Sequence, residues 1–570
     1  MAEEPSVDAG KWLKKIKKAE TKLSKWRKEA KSYISSYEGG KDEEASNLSD
    51  FNILFSNTET LRSAVYNKPP TPRVVRRFKD KNDVAREVTE ILERCISFVI
   101  DEEETDDIVK ANVHTALLAG FTTTRVRYIP QMVQKPVIGL DGLPQMDEAG
   151  LPMTEDAIGF QEVELEDVDY DRLIWDCSKK WEENGWLAFE HRFSPEEMEK
   201  EFGLGKDEYQ SSEFKGDSGE EPEKACKVYE VWDKETRQFF FIAEGKNEVL
   251  NLQEDPLGLD GFFPIPKPLQ FVKTNGSSKP IPEFRIYKNQ AEKLAKIAAR
   301  KAKIITFIKA TGVYDSSNKE IAQMLSGADG EMYPATLTAF ENGMDVAKTF
   351  AMLPVDGFAR VLNQLEMSIQ ESKQIIYEVT GISDIMRGSS VAAETATAQK
   401  IKGNFGTMRV QDRQKEVSRF VRDIVRLVGE VIAKHYTPET MQLMTGKPVG
   451  QQHIAMMRDD AVRAYTIDIE DDSTIQVDEE AEKQTAVELL TAVGSYMQTM
   501  GPLVEPNGMV PFPVAKELLM IAVRRFKGAR SFEEVLDNWS PAQQAPQLPM
   551  VGEQNMNAAP MPQPNGSIPA

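Results

Sequence analysis

The chain has 570 residues, with 70 Lys+Arg against 92 Asp+Glu and a net charge of −22. That length exceeds one ordinary core and points to several domains or an extended multi-part subunit, and the charge argues against a protein that coats duplex DNA with a basic surface. With 40% hydrophobic and 28% charged residues, collagen-like and wholly disordered classes are excluded, while large solvated or interfacial surfaces are expected.

Three cysteines, Cys95, Cys177 and Cys226, lie far apart with no Cys-x-x-Cys pair. Neither a disulfide framework nor a thiolate zinc site is expected, and a reducing cytoplasm fits. No run of about 18 apolar residues occurs, and Met1–Gly10 lacks a basic-then-apolar layout. The expectation is a soluble protein that is not exported by that route.

In chain order, residues 10–37 place Trp12, Ile16, Leu23, Trp26 and Ala30 near one helical face with lysines elsewhere, a basic amphipathic helix. Such a helix serves as a membrane-surface or nucleic-acid arm, or docks on an acidic neighbour in an assembly; the last is the favoured reading. A polar linker, 39–47, ends it. Helical signals resume at Leu48, break at Pro69–Pro72, and continue over 83–120 with Val84, Val88, Ile91, Leu92 and Cys95 in helical spacing. His114 reads as a satisfied core histidine, because no second histidine stands at metal spacing. From Phe121 to about Pro280 the period shifts toward 2, with strand candidates at 122–128, 162–170, 186–193, 227–232 and 238–242. The Gly/Pro/acid-rich stretch 137–157 reads as a hairpin tip or mobile loop.

Two long helices follow. After Pro282 the chain runs to Ala310 without Gly or Pro, about 40 Å of helix. It carries Lys293, Lys296, Arg300 and Lys303 on one face. Residues 356–379 set Phe358, Leu362, Leu365, Ile369, Ile376 and Val379 in a near-heptad pattern interrupted by Ser372. Between them lies an insert, 311–353. A short Ser/Gly loop, 382–393, precedes a very long helical pattern, 394–436, lined by Ile401, Phe405, Met408, Val417, Phe420, Ile424, Leu427 and Val431 and closed by Pro438. Gly403 and Gly406 fall inside it, each costing about 1 kcal/mol against Ala, so a kink is expected there. Beyond, 464–473 alternates like a strand, 479–500 and 513–526 are helical, and 540–570 has the composition of a disordered tail.

Motifs for catalysis are missing. No glycine-rich phosphate loop occurs: Gly446-Lys447 is followed by Pro448, and Gly205-Lys206 lacks the glycine five residues upstream. Asp468, Glu470, Asp471 and Asp472 resemble a two-metal cluster in composition, yet on a strand they split between faces and read as a solvated acidic edge. The run Asp101–Asp107 reads as a solvated or helix-initiating acid cluster. Nucleophile elbows, zinc helices and dinucleotide fingerprints are absent, and the four histidines, His114, His191, His435 and His453, leave little for general-base work. No enzyme, cofactor or metal is expected.

The run 375–436, with Thr380-Gly381, Met386-Arg387-Gly388 and the Glu394–Gln399 helix start, strongly resembles portal proteins, the head-to-tail connectors of tailed bacteriophages, and most of all those of short-tailed phages. A second likeness is 173–203, a tryptophan-led β stretch with a Ser-Pro-Glu-Glu helix start similar to the portal wing. The likeness spans about 48–539. It implies a mixed α+β portal fold, mainly helical: an N-terminal basic helix and linker (1–47), a wing, helical then β-rich (48–280), a first stem helix (281–310), a clip (311–353) and a second stem helix (354–381). A tunnel loop (382–393), a long kinked wing helix (394–436), a helical crown (437–539) and a disordered tail (540–570) complete it.

The resemblance also implies a ring of twelve identical subunits at one capsid vertex, through which double-stranded DNA is packaged and ejected. Terminase, the major capsid protein and tail adaptor proteins are the implied partners, with the virion as location and the host cytoplasm during assembly; no membrane is involved. A slippery acidic conduit suits this role better than a tight binder, since affinity rises with every phosphate neutralised. In the tunnel loop, Ile385, Met386, Arg387, Gly388, Ser389 and Ser390 are the channel candidates, with Arg387, Ser389 and Ser390 presenting the narrowest ring. The stem stripe Lys293/Lys296/Arg300/Lys303 either faces the bore or pairs across the subunit seam with Glu366, Glu371 or Glu378. Four cationic rings would grip DNA, which favours the seam or the outer stem. The competing readings are a terminase-like ATPase and a viral structural scaffold that conducts no DNA.

Overall fold

The computed structural model describes residues 7–39, 52–76, 83–137, 145–146, 152–214, 223–307, 312–314, 350–352, 356–382, 396–458, 465–469, 479–500 and 511–523. The chain is a mixture of helices and antiparallel sheets, and it divides into two compact units, Met1–Gln476 and Val477–Ala570.

The first unit opens with α1 (Ala9–Tyr37), whose N-cap Asp8 accepts from the Lys11 amide. α2 (Ile53–Val65), β1 (Pro72–Arg76), α3 (Asp83–Glu102) and α4 (Thr105–Ala119) follow. Ile16, Leu23, Trp26 and Ala30 of α1 are buried. The helix docks on its own chain: Trp26 Nε1 donates to the Ala119 carbonyl at 2.7 Å, and Lys22 pairs with Asp176 at 2.9 Å. Around Trp26 stand Phe121 and Trp175, which stack on each other at 4.4 Å. Gly120 ends α4 at φ +80, where a Cβ would lie 2.5 Å from the Ile281 and Pro282 backbone. Only glycine lets that strand of chain pass so close.

A long hairpin comes next, β2 (Thr123–Pro136) and β3 (Thr154–Val168), in register from Thr123↔Val168 to Pro136↔Thr154 with an irregularity at Gln131/Met132. Both strands exceed the expected 122–128 and 162–170. The base of the hairpin is buried through Val126, Val163 and Leu165, whereas Met132 and Val133 farther out are exposed. The pattern loses its apolar alternation beyond Ile129, so periodicity alone could not extend the strands. Six further strands form one antiparallel sheet: β4 (Leu173–Trp175), β5 (Trp186–Phe193), β6 (Ser211–Phe214), β7 (Glu223–Asp233), β8 (Gln238–Ala243) and β9 (Val249–Glu254), ordered β4-β5-β7-β8-β9 with β6 paired to β7. Between β5 and β6, α5 (Pro195–Phe202) starts at a capping box, Ser194 with Glu197, and ends at Gly203.

The long helices are α6 (Phe284–Phe307), α7 (Asp356–Thr380) and α8 (Ala396–His435), with β10 (Gly312–Tyr314) and β11 (Phe350–Met352) paired between the first two. α8 runs through the core: Val417, Phe420, Val421, Ile424, Val425, Val428 and Val431 are all buried. Its end is fixed by Gln161 of β3, which donates to the His435 carbonyl at 2.7 Å and accepts from the Thr437 amide at 2.6 Å. α9 (Pro438–Thr445) and α10 (Gln451–Arg458) pack on α3, and β12 (Tyr465–Ile469) pairs antiparallel with β1. Residues 438–469, which the portal likeness places in the crown, therefore belong to the first unit.

The second unit contains α11 (Glu479–Met500) and α12 (Phe512–Val523), joined through Leu519, Met520 and Val523 against Leu489, Val493 and Tyr496. The Tyr496 hydroxyl donates to the Ala515 carbonyl at 2.6 Å. No described helix is long and apolar enough to cross a membrane.

Candidate functional site

α6 and α7 form an antiparallel pair. Phe284, Tyr287, Ala291, Leu294 and Ala295, at helical spacing, bury one face of α6 against Ile369 and Ile376 of α7 and against Tyr33, Ile53, Leu54 and Leu118. Farther along, Lys301 reaches Glu366 at 2.5 Å, and Gln370 donates to the same carboxylate at 2.9 Å. The Lys301 hydrogen bond, then that from Gln370, holds Glu366 below the usual carboxylate range. Beyond this clamp the β10–β11 ladder joins the two sides of the insert, Gly312↔Met352 to Tyr314↔Phe350.

Two of the six residues of the α7 apolar stripe, Phe358 and Val379, are exposed, and Leu362 and Leu365 are only half-buried. Ile369 and Ile376 are buried, but Phe358 is 44% exposed and Val379 41%, and Val361 and Met367 are exposed beside them. Ser372 sits buried in the pair with its hydroxyl unpartnered.

Lys293, Lys296, Arg300 and Lys303 are all exposed. The first three line a shallow open groove with Asn289, Glu292, Ile297 and Leu365. Among the described residues none of the four makes an ion pair; Glu366, one of the acids named for the stripe, is taken by Lys301 of the same chain.

The ends of the helical pair meet α8 at one junction. Thr380 Oγ1 donates to the Ile376 carbonyl at 2.8 Å, and Gly381 turns at φ +75 with its amide on the Tyr377 carbonyl at 2.8 Å, so α7 stops there. Ile382 is then buried in the core. From α8, Arg409 Nη1 donates to the Glu378 and Val379 carbonyls at 2.9 and 3.0 Å, satisfying acceptors that a helix end leaves open. One turn on, Arg413 Nη2 pairs with Glu283, just before α6, and lies 3.4 Å from the Thr380 carbonyl. Burial pushes the Glu283 carboxyl up against the opposing pull of Arg413, and its second oxygen is buried without a partner. These three charged residues were not among the sequence candidates. Their signal is faint: Arg409 and Arg413 stand four apart, hence on one face, with nothing in the sequence to name Glu283 as their acid.

The tunnel-loop candidates, Ile385, Met386, Arg387, Gly388, Ser389 and Ser390, lie outside the described residues. Gly403 and Gly406 fall within α8, which runs from Ala396 to His435 as one helix. His114 differs from the expectation of a satisfied core histidine: it is half-buried against the Tyr37 ring at 5.0 Å, and its Nε2 has no partner. Its pKa is lowered by burial and by nearby Arg62. The other histidines are engaged: His191 with Glu230 at 2.8 Å, His435 with the Leu257 carbonyl at 3.0 Å, and His453 with Glu87 at 3.0 Å.

Asp468 pairs with Arg422 at 2.9 Å. Glu470, Asp471 and Asp472 lie outside the described residues. In the six-stranded sheet, burial would raise the Glu230 carboxyl, but Arg125, His191 and Trp232 Nε1 outweigh it and keep it below the ordinary range. This is a packed structural cluster in which the Glu230 carboxylate is fully engaged, although Arg125 Nε is buried without a partner. All three cysteines are buried and free. Among the described residues no group of three or more His, Cys, Asp or Glu side chains is arranged to hold a metal. No protein-family model and no curated protein matches the chain.

Proposed function

We propose that the chain is a portal-type connector: a ring-forming subunit whose helices line a channel for double-stranded DNA, acting as a conduit and not as an enzyme. The observation that carries this reading is the pair of long helices 284–307 and 356–380, the β10–β11 ladder between them, and the 40-residue helix that follows, with Phe358, Val361, Met367 and Val379 of α7 exposed. In a ring, each copy of α7 sets Phe358, Val361 and Met367 against its neighbour, and burial of such side chains contributes about 1.5–3 kcal/mol each. The net charge of −22 suits a passage that phosphates cross without lodging.

On this reading the insert end meets terminase and later the tail adaptors, the wing meets the major capsid protein, and the location is the portal vertex of the virion. Negative-stain images and native mass of the purified full chain test it. A ring with a central hole of about 20 Å or more is expected, wide enough for a duplex. Filaments or shells would favour a structural scaffold, and a persistent monomer or a solid centre would refute the conduit.

A further inference from the structure

The docking of α1 consumes its apolar face and leaves a second surface unexplained. The helix carries nine lysines and one arginine against two glutamates, in a chain that is otherwise strongly acidic. Both glutamates are drawn inward, Glu20 to the Tyr229 hydroxyl at 3.4 Å and Glu29 to Arg285 at 3.7 Å. Among the cations, Lys22 and Lys17 pair with Asp176 and Glu244, and Lys15 sits 3.8 Å over the Trp12 ring. Lys11, Lys14, Lys18, Lys25 and Lys28 are exposed, and none of them makes an ion pair among the described residues. At 3.6 residues per turn these five fall within an arc of about 100°, opposite the buried face, over roughly 25 Å of helix.

We propose that this ridge binds the phosphate backbone of double-stranded DNA on the outside of the protein, without reading sequence. Three observations select that partner. A membrane helix needs its apolar face for the bilayer, and here Ile16, Leu23 and Trp26 are buried in the protein. Single-stranded nucleic acid needs aromatic platforms, and Trp12, Trp26, Tyr33 and Tyr37 all turn toward the body, none of them exposed. A protein interface core is depleted in lysine, whereas five unopposed ammonium groups in a line are point charges suited to successive phosphates. The ridge is separate from the α6 stripe, and it stands whether or not the subunits form a ring.

The test is fluorescence anisotropy of the full chain with a labelled 30-base-pair duplex of arbitrary sequence, over 50–200 mM salt. With all five lysines engaged, affinity falls by about 500-fold across that range. Changing Lys11, Lys14, Lys18, Lys25 and Lys28 to Gln removes most of this salt dependence, and the same five changed to Arg keep it. If the α1 Gln variant binds duplex with an unchanged salt slope, the inference fails, including where that variant has instead lost binding to phosphatidylserine vesicles or lost self-association. The conduit reading is tested on ring images of the unaltered chain, so this result and that reading fail separately.

Discussion

Replacing Gly381 with alanine puts a Cβ 2.5 Å from Arg409 Cδ, at a backbone φ of +75. Two costs follow. The left-handed conformation of an L-residue costs about 1–2 kcal/mol. Displacing Arg409 breaks its hydrogen bonds to the Glu378 and Val379 carbonyls, about 1 kcal/mol for a partly solvated charged donor. The sum is about 2–3 kcal/mol, concentrated at the end of α7. Because a chain of this size does not unfold in one step, the measurement is local: hydrogen exchange of the residue-381 amide, which bonds to the Tyr377 carbonyl. Gly381→Ala accelerates it by about 50-fold; in an Arg409→Ala background, where only the backbone term remains, the factor drops to about tenfold. Equal factors in the two backgrounds would refute the claim that Arg409 and Gly381 act together.

Arg413→Ala strands Glu283 as a buried, unpaired carboxylate and accelerates hydrogen exchange of the residue-381 amide beside it, a local cost of about 3–5 kcal/mol. Adding Glu283→Leu to that variant restores most of the loss, and a double variant no better than the single would remove the pair from the account. Burial would push the Asp176 carboxyl up, but hydrogen bonds from Ser178 and Lys22 win and hold it at about 2, below the ordinary aspartate value of 3.8. Its contribution is therefore present above pH 3.8 and is lost as pH falls through 2, about 1–2 kcal/mol after allowance for solvent screening. Proteolysis of α1 should quicken between pH 4 and 2, and Asp176→Asn should be susceptible throughout that window. A wild-type rate that is flat with pH would exclude the tether.

Local features were the most legible. The aromatic and apolar run at 186–193 yields a strand with those bounds, and the long apolar patterns at 282–310 and 394–436 yield helices at 284–307 and 396–435. Contacts across long separations were not legible. β1 and β12 pair although almost the whole first unit lies between them, and the short Pro72–Arg76 strand follows a proline cluster that reads as a break. The amphipathic pattern of α1 shows that it has a partner but not which one; Trp26 finds its acceptor 93 residues away. The lysine stripe was visible as a face of α6, yet the residue that reaches Glu366 is Lys301, off that stripe, because side-chain reach between antiparallel helices depends on their stagger. The junction of Glu283, Gly381, Arg409 and Arg413 depends on three segments converging, which no periodicity encodes.

That junction also bears on how the chain can evolve. Arg409 of α8 is fastened to the last carbonyls of α7, Glu378 and Val379, and Arg413 to Glu283 at the head of α6, so one turn of α8 holds the ends of both other helices. Among descendants of this sequence Gly381, Arg409, Arg413 and Glu283 should therefore keep their identities together.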